Sequence, residues 1–88
     1  MKLMRFSGRE ASVLRAVDFA IGTIGADIVL RTRMDAQEAL DILNSFLDAG
    51  YIETVPAQQY HVERRAFYTT MFEVNPAFVH ELKKSLIR

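Results

Sequence analysis

The chain has 88 residues, of which 50% are hydrophobic and 25% charged, the balance of a globular domain and not of a disordered segment. Eleven Lys and Arg offset eleven Asp and Glu, so the formal net charge is 0 and no global field draws the chain to nucleic acid or to a membrane surface. Cysteine is absent, which excludes disulfides, thiolate metal sites and cysteine nucleophiles.

This length suits a single domain over residues 1–88, stabilised by its own core or by a partner chain. The most apolar window, Phe19 to Leu30, contains Thr23 and Asp27 and is shorter than the ~20 residues a membrane span needs. Residues 1–6 carry Lys2 and Arg5 without a long apolar stretch behind them, so the expected compartment is the cytoplasm.

Ser7-Gly8-Arg9-Glu10 has the spacing of a capping box and predicts a first helix from about residue 8. Val13, Leu14, Val17, Ala20 and Ile21 follow at helical spacing as its buried face, Phe19 lies off that face, and Gly22 marks the end. Thr23 restarts the pattern as a short second helix through Ala26, Val29 and Leu30, stopping around residues 31–34. Asp35, with Glu38 three residues on, opens a third helix whose apolar stripe is Ala39, Ile42, Leu43, Phe46 and Leu47, closed by Gly50.

Beyond Gly50 the period changes. Tyr51 to Val55 is β-branched and aromatic and stops at Pro56, while residues 67–74 alternate, with Tyr68, Thr70, Phe72 and Val74 on one face. The polar residues 57–66 between them predict the tip of a β-hairpin. Asn75-Pro76 reads as an N-cap followed by a first-turn proline. Phe78, Val79, Leu82 and Leu86 then form the stripe of a last helix that ends in Lys83, Lys84 and Arg88, cations suited to a helix C-terminus.

The fold expected is α+β, mainly α: three helices, a two-stranded hairpin and a final helix. This order resembles the winged helix-turn-helix domain of MarR-, PadR- and ArsR-like regulators over roughly residues 8–88. The resemblance is carried by Ile28-Val29 in the second helix, Met34 and Asp35 at the turn, Ala39, Ile42-Leu43 and Phe46 in the third helix, Gly50-Tyr51-Ile52 at the exit, and residues 72–76 leading into the last helix. It implies a small DNA-binding transcriptional regulator, acting as a dimer without catalysis or cofactor. The third helix would enter the major groove and the wing would lie on the backbone.

The residues that the resemblance places on double-stranded DNA are Gln37, Asp41 and Asn44 as readers, with Arg31, Arg33, His61, Arg64 and Arg65 on phosphates. The chain departs from the pattern in the third helix. Residues 35–49 contain no Lys or Arg, and they contain Asp35, Glu38, Asp41 and Asp48, which repel phosphates. Its apolar arc also extends to Leu40, a position that DNA readers leave polar, so the arc is wider than one core requires. A second expectation follows, a winged helix that binds a protein partner through the third helix, or a second copy of itself, and not DNA. Phe19, Leu40, Phe78, Val79, Leu82 and Leu86 are the candidates for such an interface or for a homodimer. His61 and His80 stand apart from any acidic or histidine cluster with metal-site spacing, so no metal site is expected. No serine has nucleophile-elbow context, and enzymatic activity is not expected.

Overall fold

The computed structural model describes residues 5–19 and 21–86. Lys2, Ala20 and Arg88, which figure in the sequence reading, lie outside the described residues. The fold is α+β and mainly helical, with one small antiparallel sheet.

Helix α1 (Gly8–Ala16) begins in the expected capping box. The Ser7 hydroxyl accepts from the Glu10 amide at 3.1 Å, and the Ser7 amide donates to Glu10 Oε1 at 2.8 Å. The helix stops well short of Gly22. The Asp18 amide donates to the Thr23 hydroxyl at 3.0 Å and the Ile21 amide to Asp18 Oδ1 at 3.3 Å. Side-chain oxygens thus take the amides that a continued helix would use. Ile21, expected on the buried face, is 67% exposed as a result.

The restart at Thr23 is a strand before it is a helix. Strand β1 (Thr23–Ile24) pairs with a later strand, and only then does helix α2 (Gly25–Thr32) begin. No side chain caps α2; the Gly25 amide donates to the Thr70 carbonyl at 3.0 Å instead. Ile28 is its fully buried residue, whereas Leu30, assigned to the apolar stripe, is 75% exposed. Arg33 closes the helix in the left-handed region (φ 58°), its amide bonded to the Val29 carbonyl.

Helix α3 (Ala36–Ala49) follows the sequence closely. The Asp35 carboxylate accepts from the amides of Gln37 and Glu38 at 3.0 and 3.3 Å. At the other end Gly50 (φ 84°) donates to the Leu47 carbonyl and Tyr51 to that of Phe46, the paired bonds of a Schellman stop. The Tyr51 ring then packs edge-on against Phe6 and Phe78 and tilted against Phe46.

Strands β2 (Ile52–Val55) and β3 (Met71–Val74) pair antiparallel, Ile52 opposite Val74 and Val55 opposite Met71, and the sheet order is β1-β3-β2. Ile52, Thr54, Phe72 and Val74 are buried, while Glu53, Val55, Met71 and Glu73 occupy the outer face. The hairpin differs from expectation in its connection. Residues 67–70 do not extend the second strand; Arg64–Thr69 form a 3-10 helix that packs against α2, α3 and β1. Val62 and Phe67 are fully buried, and two core side chains in this segment pull it back onto the body of the domain.

The Asn75 side chain accepts from the Ala77 amide at 3.0 Å, Pro76 sits in the first turn, and a 3-10 turn (Pro76–Phe78) leads into helix α4 (Val79–Leu86). The Asn75 amide group also donates to the Gly50 carbonyl at 2.8 Å, tying the exit of α3 to the start of α4. One core runs through Leu14, Ile28, Leu43, Ile52, Phe67, Phe72 and Leu82. No described helix is long and apolar enough to cross a membrane.

Candidate nucleic-acid interface

The residues assigned to DNA fall on three elements: the end of α2, the outer face of α3 and the connection between β2 and β3. Most of them are engaged within the chain. Arg31 donates from Nη1 to the Ala16 carbonyl at 2.9 Å, bracing the end of α2 against the end of α1. The Gln37 amide donates to Asp41 Oδ1 at 2.9 Å, one turn along α3. Asn44 is committed more deeply. Its Nδ2 donates to the Val62 carbonyl at 3.1 Å and its Oδ1 accepts from the Val62 amide at 2.8 Å. Both ends of the side chain are used to clamp the connection onto α3, so Asn44 in this structure has no free edge to offer a base.

Along the connection, His61 Nε2 stands 3.4 Å from Glu63 Oε2, with both side chains exposed. The Arg64 guanidinium lies over the Tyr68 ring, 5.6 Å from its centroid. Arg33 and Arg65 are exposed. Neither they nor Arg64 form an ion pair among the described residues.

On α3 the exposed positions are Gln37, Asp41, Ser45, Asp48 and Ala49, preceded by the exposed Asp35. Glu38, half-buried, is paired with Arg9 of α1. Sequence position and helical geometry therefore agree on an acidic outer surface with no cation of its own.

Two candidates for a partner surface are corrected. Leu40 is 2% exposed and Leu82 fully buried, both in the chain's own core. The wide apolar arc of α3 is absorbed because α1, α2, β2 and the 3-10 helix all pack on this one helix. Phe19, Phe78, Val79 and Leu86 are half-buried against the same core, and Lys83 Nζ lies over the Phe19 ring at 5.6 Å. Among the described residues, the large apolar side chains that do face outward are Ile21, Leu30, Tyr60, Tyr68 and Met71. Periodicity could not find Ile21 and Leu30, because both fall on the spacing of a buried stripe. Tyr60 sits in a polar tip, where an aromatic residue was the available signal.

Among the described residues, no group of three or more His, Asp or Glu side chains is placed to hold a metal ion. No family model, no curated protein and no solved structure matches this chain.

Proposed function

We propose that the chain is a winged-helix-type module that works by binding a protein partner with a basic surface, and that α3 does not read duplex DNA. The winged-helix part of the reading is supported by the element order helix, strand, helix, helix, strand, strand and by the sheet order β1-β3-β2, followed by a further helix. The binding part rests on one observation: the outer face of α3 presents Asp41 and Asp48, with Glu38 at its margin and Asp35 exposed at the N-cap, and carries no Lys or Arg. Duplex DNA is held chiefly through phosphate neutralisation, so a helix with this face is repelled from the groove it would need to enter. Exposed Ile21, Leu30, Tyr60 and Met71 are also better suited to a protein surface than to a phosphate backbone.

The test is fluorescence anisotropy with a labelled random-sequence duplex at low salt and, separately, with a labelled arginine-rich peptide. The duplex gives no saturable signal, whereas non-specific DNA binders reach Kd values of roughly 10⁻⁴ to 10⁻⁶ M even at physiological salt. The peptide binds, and replacing Asp41 and Asp48 together with lysine abolishes that binding. Saturable duplex binding that weakens steeply with salt refutes the reading.

One observation favours the DNA-binding alternative: Arg33, Arg64 and Arg65 are exposed and without a carboxylate partner among the described residues. Under that alternative the Arg64→Ala/Arg65→Ala variant binds duplex more weakly, and its salt slope flattens by about one for each phosphate no longer neutralised.

A further inference from the structure

The ends of α1 and α2 border an open surface notch of about 290 Å³ lined by Ser12, Arg15, Ala16, Arg31 and Thr32. Ser12, Arg15 and Ala16 share one face of α1 through their three- and four-residue spacing, and Arg31 and Thr32 close the notch from α2. Two arginines thus line one small space, and among the described residues no Asp or Glu lines it. Neither arginine forms an ion pair among the described residues.

Each guanidinium is held by a single hydrogen bond: Arg31 Nη1 to the Ala16 carbonyl at 2.9 Å and Arg15 Nη2 to the Leu86 carbonyl at 3.2 Å. An arginine has five N–H donors, so most of those on both side chains remain uncommitted while the anchoring bond fixes where the fork sits. The Ser12 hydroxyl is exposed and has no hydrogen-bond partner among the described residues. The Thr32 hydroxyl is different: it donates to the Ile28 carbonyl at 2.8 Å and so acts as wall, not donor.

We propose that this notch binds a phosphomonoester dianion, with Arg15 and Arg31 on its oxygens and Ser12 as an additional donor. Two arginines lining one notch, neither in an ion pair among the described residues, match a charge of two better than the single charge of a phosphodiester. The planar forks of arginine suit the tetrahedral oxygens of phosphate. The notch is open on its outer side, so a phosphate held there leaves its organic part in solvent. The positive end charges of Arg15 and Arg31 also suit the C-terminal turns of their helices. That role alone produces stability without any response to phosphate, which the experiment separates. The proposal does not rest on the partner-protein reading.

The experiment is an amide NMR titration of the whole chain with inorganic phosphate at constant ionic strength near neutral pH, repeated with a nucleoside monophosphate and with a dinucleoside whose only phosphate is a diester. Saturable shifts confined to the Ser12–Ala16 and Arg31–Thr32 amides are expected with the first two ligands, at a Kd in the millimolar range or tighter. Binding weakens about tenfold or more in Arg15→Gln and in Arg31→Lys, which keeps the charge but loses the fork. Arg33→Ala, adjacent in sequence but outside the notch, binds unchanged. Arg15→Gln leaves the Arg31 link to α1 in place, so it carries the test if the Arg31 variant does not fold. Binding also weakens below about pH 6, where the second phosphate proton returns. No saturable shift, or shifts spread evenly over Arg33, Arg64 and Arg65, overturns the proposal. Equal binding of the diester overturns the monoester assignment.

Discussion

Replacing Asn44 with alanine separates a base-reading side chain from a structural clamp. The side chain makes two hydrogen bonds, both to the backbone of Val62, at 3.1 and 2.8 Å. Val62 itself is fully buried, so its amide and carbonyl are poorly placed to recruit water when the partner is removed. A typical hydrogen bond contributes about 1 kcal/mol net, and a buried group left unpaired costs about 1–3 kcal/mol. Loss of the clamp therefore destabilises the domain by about 2 kcal/mol, a large share of what a chain this small holds. At about 4–8 °C per kcal/mol the melting temperature falls by about 8–16 °C, read by circular dichroism. Urea denaturation gives the same free-energy change with an unchanged slope. Asn44→Asp keeps the acceptor for the Val62 amide but loses the donor and turns an anion toward a carbonyl, so it is also destabilised. Ser45→Ala, exposed on the next position of α3, stays within about 0.5 kcal/mol of the parent. An Asn44→Ala protein as stable as the parent would falsify the clamp and return Asn44 to the surface.

The same docking of the β2–β3 connection is tested from its other side by Gly25→Ala. A Cβ there overlaps the Phe67 carbonyl oxygen and meets the Phe67 ring at 2.8 Å. Helix α2 and the 3-10 helix must then separate, at a cost of about 1–3 kcal/mol or more despite alanine's better helix propensity. Gly8→Ala, with nothing within 4 Å, leaves the melting temperature unchanged or raises it, and equal behaviour of the two variants contradicts the packing. On the outer face of the sheet Glu53 stands directly opposite Glu73, a like-charge pair. Glu73→Lys raises stability by about 0.2–1 kcal/mol, more at low salt than at high, and adding Glu53→Lys removes the gain; persistence of the gain in the double variant contradicts a charge effect.

The boundaries that local chemistry sets were legible without coordinates. Ser7 with Glu10, Asp35 with Glu38, Gly50 and Asn75-Pro76 each satisfy backbone groups within a few residues of themselves, and each sits where the sequence placed it. The acidic face of α3 was equally legible, because helical spacing alone decides which of its residues share a side.

What tertiary structure decided lies where a residue's partner is distant in the chain. Thr23 and Ile24 become strand because Phe72 and Met71 are there to pair with them, and α2 starts at Gly25 because the Thr70 carbonyl accepts its amide. Leu40 is core and Leu30 is surface although both are leucines at plausible apolar positions, since burial depends on how many elements converge on a helix. The connection expected as a polar hairpin tip is anchored by Val62, Phe67 and the Asn44 clamp, which joins residues 18 apart in the chain. Periodicity records which face of an element is apolar; only the folded chain determines which neighbours arrive to cover it.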